Sequence, residues 1–507
     1  MASGPSPYAF PLKVDDYAST PVPSMEEWEI LWKAWDLVTA QMIPADALME
    51  QPIPLRNPLK FYVGHIPTFE DIHLARATGT PLTEPASYAR FFERGIDPDV
   101  DDPRQCHDHS ELPTIWPELS EMLEYRENVK RRITLQYDTG RAYSDRSIGR
   151  ALWIGYEHEG LHLETFLYMA VLSPNIKAPP DIPRPDFAGM ARDAASRRVE
   201  NQWFRIPEQE LTIGYEDPES DDGPDRYFAW DNEREPYDIR TSAFEAQARP
   251  VSVGEYAAFL IDTGKTDEIP AMWVKLNTCD GETDGVPRGH DVEDTALQAF
   301  IAQHGHRTVW GPIPLSQAVD WPATASWNEM TSYSEWKGGG VRFPTLHEVR
   351  SIHEHAAQLN EGQLLSTTTT TTSPSHSNPA NPSKNKDMHT DPESIFVDLG
   401  GANVGLQNFH PVPVTHRGGR LCGLGELGGA WEWTSTVFAP QPQFKPMDIY
   451  PVYSEDGLDG REAYWVVVCE AMDVVARASA AAEWAAERHV LLDTAFENML
   501  QQFDNET

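Results

Sequence analysis

Between Met25 and Ser173 the apolar positions recur with helical spacing and almost no strand alternation. The run from Met25 to Trp35 is amphipathic, with Ser24 placed to accept hydrogen bonds from the first turn. Further helical stretches span roughly Lys60 to Thr78, Trp116 to Tyr137 and Ser147 to Leu172. Four long helices with connecting loops predict a bundle, an architecture whose core often holds a metal between facing side chains. The Pro-rich run from Ala178 to Pro185 reads as a linker.

Beyond Asn201 the pattern changes to short apolar pieces separated by Gly, Pro and Trp. Phe204 to Pro207, Leu211 to Gly214 and Arg249 to Val253 read as short strands and loop edges, followed by a helix around Gly254 to Leu260. The fold class expected is therefore multidomain α and α+β. An N-terminal extension (1–24) leads into a helical bundle (25–177), a linker (178–200) and an irregular α+β domain (201–465). Within that domain, residues 361–393 form a Thr, Ser, Asn and Pro tract too polar to fold, expected as a disordered insertion. An Ala-rich, helix-prone tail (466–507) follows.

Composition narrows the function. With 507 residues, two or three domains are expected. The 79 acidic against 40 basic side chains give a formal net charge of -39, which argues against nucleic acid or an anionic membrane as a partner. No apolar run approaches membrane-spanning length, and Met1 to Phe10 lacks the basic start and apolar core of a signal peptide. A soluble, cytoplasmic protein is expected. Cys106, Cys279, Cys422 and Cys469 are scattered without metal-ligand spacing and read as free thiols.

The chemistry concentrates in Tyr156-Glu157-His158-Glu159-Gly160-Leu161-His162-Leu163-Glu164. On a helix, residues four apart share a face, so His158 and His162 can converge on one divalent transition metal. The same letters read as H-E-x-x-H would make Glu159 the general base of a zinc protease. The chain continues Leu163-Glu164-Thr165-Phe166-Leu167, without the Gly and His of a metzincin. A catalytic metal needs a third ligand. His65 is the first candidate, with His73, His107 and His109 as rivals.

These residues, taken with others in order, resemble the ergothioneine-type sulfoxide synthases. Gly64-His65, Phe91 to Asp101, His158-x-x-x-His162-x-Glu164, Trp230 to Glu233, Pro250 to Tyr256, Arg342 to Glu348 and Gly428 to Thr434 carry the resemblance across about residues 25–460. It is closest to the synthase half of the fungal ergothioneine biosynthesis proteins. The resemblance implies a DinB-like four-helix bundle joined to a formylglycine-generating-enzyme-like, C-type-lectin-related domain. It implies a facial triad of His65, His158 and His162 on Fe(II), with positions open to O2 and substrate. The implied reaction joins the thiol of cysteine or γ-glutamylcysteine to an imidazole carbon of hercynine and oxidises the sulfur to a sulfoxide. Arg94 matches a position that holds the carboxylate of the thiol substrate, which a planar guanidinium suits. Tyr450 or Tyr453 matches a proton-donating tyrosine. Glu164 reads as a group orienting a ligand histidine or as a surface carboxylate, and Trp431 and Trp433 read as core.

The chain departs from the family pattern at Leu161, where Gln is common, and at Val253, where Asn is common. After Asp459-Gly460 the expected closing strands are replaced by Arg461 to Cys469 and the Ala-rich tail. No methyltransferase half is recognised, so a separate methyltransferase is expected to supply hercynine. Two competing readings remain: an iron oxygenase acting on another substrate of specialised metabolism, and a non-catalytic lectin-like binding protein.

Overall fold

The computed structural model describes residues 6–10, 22–53, 56–93, 112–213, 219, 228–231, 236–276, 292–368, 403, 405–423, 429, 432–437, 444–450 and 465–468. The four long helices of the bundle are α1 (Met25–Asp36), α2 (Leu59–Thr78), α4 (Leu119–Asp138) and α6 (Arg146–Leu172), with the short α3 (Tyr88–Phe92) and α5 (Arg141–Ser144) between them. Their starts are locally encoded. Ser24 and Glu27 exchange side-chain and backbone bonds at the head of α1, and the Asp145 carboxylate accepts from Ser147 and Ile148 at the head of α6. Gly79, at φ +65°, ends α2 in the left-handed conformation that glycine adopts without strain.

Aromatic side chains fill the space between these helices: Trp28, Trp35, Trp153, Tyr62, Tyr125 and Tyr156 are all fully buried. Gly155 lets α6 approach α2, since a Cβ there would lie 3.2 Å from Cγ of Glu70. The same apolar cluster continues through Trp230, Val309, Phe409 and Met447. The two domains therefore share one core rather than meeting across a polar seam.

The second domain is built from small antiparallel pairs. β1 (Trp203–Ile206) pairs with β4 (Phe244–Gln247), β2 (Gln209–Ile213) with β3 (Tyr237–Thr241), and β5 (Trp273–Lys275), β6 (His304–His306) and β7 (Ile313–Pro314) form a three-stranded sheet. A second core gathers Phe187, Val253, Tyr256, Phe259, Trp273, Trp321 and Tyr333. One device recurs at helix starts. In α8 (Val253–Thr263), Ser252 and Glu255 form a capping box while Arg249 pairs with the same carboxylate at 2.8 and 3.0 Å. In α11 (Leu346–Thr368), Thr345 and Glu348 bond reciprocally and Arg342 grips Glu348 at 2.7 Å. Both motifs read Arg-x-x-Ser/Thr-x-x-Glu, so two of the sequence signatures are instructions for starting a helix.

Several expectations are corrected. Arg249 to Val253 is not a strand: Ser252 caps α8 and makes a single bridge to Pro322. The stretch 178–200 holds α7 (Phe187–Ser196), whose Phe187 belongs to the second core, so it is more than a linker. Tyr8, Phe10 and Val22 of the expected extension are buried in the first core. Phe10 also bonds to Gly405 and Gln407, tying residues 6–10 to the second domain. α11 runs to Thr368, so residues 361–368 of the expected insertion are helical; residues 369–393 lie outside the described residues. Residues Trp465–Val468 form β9, antiparallel to β8 (Glu432–Val437), where the tail was expected to be helical. No helix among the described residues is long and apolar enough to cross a membrane.

Candidate metal centre

Of the histidines weighed as ligands, His65, His158 and His162 converge: one nitrogen from each lies within 4.8 Å of the other two. His65 comes from α2, and the other two stand one turn apart on α6. Ring centroids are 4.9 Å apart for His65 and His158, 4.9 Å for His65 and His162, and 4.5 Å for His158 and His162. His65 and His162 are 2 % exposed, so the centre lies inside the bundle.

Each ring is set by a neighbour. Nδ1 of His65 lies 2.7 Å from the carbonyl oxygen of Phe92, which makes it the donor and leaves Nε2 for a metal. Gly64 permits that approach, because a Cβ there would meet the Phe92 ring at 3.1 Å. The Thr165 hydroxyl lies 3.3 Å from the His162 carbonyl and 3.2 Å from Nδ1 of His162. Donating to the carbonyl, it accepts from Nδ1 and again leaves Nε2 free. His158 lies flat on Phe69, with centroids 3.6 Å apart at 14°. Burial, opposed by the Phe92 bond, pushes His65 down to about 4. Burial and then the neighbouring imidazoles hold His158 well below its ordinary range, and burial, His65 and Arg56 do the same for His162. Neutral imidazoles are the form that binds metal, and three neutral nitrogen donors without a carboxylate fit one divalent transition ion with open positions.

The carboxylate of the H-E-x-x-H reading is spoken for. Glu159 is fully buried and accepts from Nη2 of Arg126 at 2.6 Å, toward α4. Burial, then the Glu159 charge, push the Glu70 carboxyl beside it well above its ordinary range. Glu159 is thus part of a buried carboxyl–carboxylate–guanidinium group that locks α2, α4 and α6 together, which is a different task from that of a hydrolytic base. Glu164 lines a cavity of about 1050 Å3 between the domains, together with Leu167, Tyr168, Arg307 and Trp433, while Thr165 and Phe92 orient the ligand rings. The three histidines do not line that cavity.

Tyr450 stands edge-on to Phe69, at 5.3 Å, on the second-domain side. His73, a rival for the third ligand, is outside the cluster, packed on Phe69 at 4.3 Å. Arg94, Tyr453, His107, His109 and Trp431 lie outside the described residues. Trp433 is half-buried, donating to the Ala325 carbonyl at 2.9 Å. The roles of two participants escaped the sequence reading. Phe69, the plate under His158, sits one turn after His65 and was open to detection by that spacing. Trp230, noted only as the start of the Trp230 to Glu233 motif, donates to Glu157 beside His158 at 2.5 Å from 73 residues away, a contact with no local signal.

Fold and site together define a two-domain protein with a three-imidazole cluster suited to a metal ion, set in a helical bundle and roofed by an irregular α+β domain. Comparison with known families agrees on both halves. Residues 26–166 match the DinB superfamily and residues 206–487 match the sulfatase-modifying factor enzyme 1-like domain. The chain belongs to the sulfatase-modifying factor enzyme 1-like domain family, whose model matches more than half of it, with the DinB match in front. The second match runs past Gly460, where the resemblance was expected to stop. Among curated proteins, the chain is 44% identical to Ergothioneine biosynthesis protein 1 of Neurospora crassa, over 89% of this chain and 54% of that protein. It is 28% identical to Ergothioneine biosynthesis protein 1 of Schizosaccharomyces pombe, over 87% and 51%. It is 27% identical to Hercynine oxygenase of Mycobacterium tuberculosis, over 47% and 48%. The chain spans about half the length of these curated relatives.

Proposed function

We propose that the chain is a mononuclear non-haem Fe(II), O2-dependent sulfoxide synthase of ergothioneine biosynthesis, working in the cytoplasm. The observation that carries the reading is the buried convergence of His65, His158 and His162 in a chain related over most of its length to proteins named for that pathway. A thiol S–H and an imidazole C–H are consumed with one O2; a C–S bond and an S=O bond form, and the second oxygen leaves as water. The four electrons removed from sulfur and carbon are those that reduce O2. Iron held by the three histidines would supply O2 binding and thiolate activation, chemistry that needs open coordination positions.

The chain's own groups have narrower tasks. Phe92 and Thr165 fix the ligand rings, and Phe69 excludes water from one face of His158. Tyr450 or Tyr453 delivers a proton to the reacting oxygen, and Arg94 holds the carboxylate of cysteine or γ-glutamylcysteine. Hercynine comes from a histidine-methylating activity outside residues 1–507.

The test is anaerobic loading with Fe(II), addition of hercynine and γ-glutamylcysteine or cysteine, and then O2. Stoichiometric iron and a sulfoxide product are expected, and His162→Ala should lose both. Iron without product with either thiol would move the protein to another substrate, and failure to bind iron would remove the enzyme reading. Iron retained by His162→Ala would overturn the ligand assignment.

A further inference from the structure

Residues 444–450 carry Tyr450 to the bundle with no helix or strand of their own. Their place is therefore set by bonds from other elements. The Met447 N–H donates to Asp231 at 3.3 Å, and the Asp448 N–H donates to the Glu219 carboxylate at 2.9 and 3.1 Å. Asp231 and Glu219 belong to the second domain, and Glu219 is itself paired with Arg150 of α6 at 3.3 Å. From the bundle, the His73 ring faces the backbone of Ile449.

His73 is buried on α2, two turns beyond His65, at 1 % exposure. An imidazole in such a place costs stability unless its polar atoms are used. Its Nδ1 has no hydrogen-bond partner, and the Ile449 backbone is the polar group available to the other ring nitrogen. The ring also packs on Phe69 at 4.3 Å and meets the Tyr450 ring edge-on at 5.2 Å and 77°. Phe69 in turn lies flat on His158. One side chain thus touches the plate beneath a metal ligand, the peptide before Tyr450 and the Tyr450 ring. A leucine would fill the volume without fixing the peptide.

We propose that His73 is a positioning residue: by bonding to Ile449 and packing against Tyr450 and Phe69, it holds Tyr450 of the second domain beside the metal centre of the first. Its relevance to turnover rests on the reading of Tyr450 as the proton donor, whereas the positioning itself does not. The experiment compares full-length wild type, His73→Phe, which keeps a ring and loses the donor, and His73→Gln, whose amide can reach the same carbonyl. Amide hydrogen exchange over residues 444–450 should quicken about tenfold in His73→Phe and return close to wild type in His73→Gln, with exchange in α6 and metal content unchanged. In the sulfoxide assay, kcat should fall about tenfold in His73→Phe with KM unmoved, and recover in His73→Gln.

If His73→Phe does not fold, His73→Asn, too short to reach Ile449, takes its place with the same expectation. Unchanged exchange over 444–450 in the donorless variant, or no recovery in His73→Gln, would overturn the proposal. Should wild type make no sulfoxide, the functional reading fails and the exchange measurement still decides the positioning.

Discussion

The two sides of the metal centre are held in opposite ways. On the bundle side, His65, His158 and His162 ride on helices of 20 and 27 residues whose backbone bonds are satisfied internally and whose packing is aromatic. On the second-domain side, residues 228–231 and 444–450 approach as irregular backbone, fixed by side-chain bonds such as Trp230 to Glu157 and Asp231 to Met447. All three histidines stand on bundle helices, whereas Tyr450 reaches its place only if the domains are docked. Metal binding and turnover should then be separable properties of this chain.

Acid gives the largest test of that contrast. Burial, then Arg76, push His73 down to about 3, against a bond to Ile449 that raises it, and His65 stands at about 4. Each falls on folding, so the unfolded chain binds protons first as pH drops. The stability contributed is fully present above the ordinary histidine value of about 6.5 and is lost as pH falls toward the folded value, about 2 kcal/mol per group at pH 5. His158 and His162 shift in the same direction. In the second domain His306, which burial pushes down to about 4 against its bond to Arg307, acts alike, and burial lowers His347, His410 and His416 by less. Denaturant melts of metal-free protein at pH 7 and pH 5, followed by exchange in α2 and α6 and in β6, should show the bundle losing more. Equal loss in both domains would break the comparison.

Next in size is the buried ionic group. Arg126, 2 % exposed, faces Glu159 at 2.6 Å and Asp36 at 3.4 Å. Arg126→Met leaves Glu159 buried without its partner and should cost about 3–5 kcal/mol. A melting curve reads this, and Glu159→Gln combined with Arg126→Met should recover part of the loss. If Arg126→Met melts like wild type, the group does not lock the three helices together.

A smaller effect is expected at the seam. Trp230→Phe keeps an aromatic ring but removes the donor to Glu157 and part of the buried indole, for a cost of about 1–3 kcal/mol. Its signature should be loss of turnover with metal stoichiometry intact. Equal loss of both would mean that the second domain holds the ligands too.

What the sequence disclosed follows the same division. The α6 histidine pair and the capping of α1 by Ser24 are written within four or so residues, and periodicity or capping chemistry reads them directly; the cap of α8 by Ser252 is as local, but its apolar neighbours read as a strand. Partners separated by long stretches were illegible. Phe92 stands 27 residues from His65, Asp231 stands 216 from Met447, and Gln407 stands 397 from Phe10. Each of those contacts depends on how the elements pack, which no local pattern specifies. The same limit explains the reading of 1–24 as a mere extension and of 178–200 as a mere linker, since their buried anchors Phe10 and Phe187 stand in otherwise polar or Pro-rich runs. It explains too why Glu159 looked like a base: the H-E-x-x-H letters sit on one helix, and Arg126 comes from another.

The smallest effect probes the twin helix starts. Thr345→Ala removes the acceptor for the Glu348 N–H and should cost about 1 kcal/mol. In a domain of this size that lowers Tm by about 2–4 °C. Ser252→Ala does the same at α8 but also removes the hydroxyl's 2.9 Å bond to the Glu255 carboxylate, the group that pairs with Arg249, 3 % exposed in its side chain. Arg342 is 57 % exposed at its side chain, so water shares the load there. The Ser252 variant should therefore lose more than its Thr345 counterpart, although the two motifs have the same spelling. Equal losses would mean that the cap alone matters and that burial of the arginine adds nothing. A larger loss at Thr345 would place the weak point of the second domain at α11, whose first turn bonds through Leu346 to Thr436 of β8.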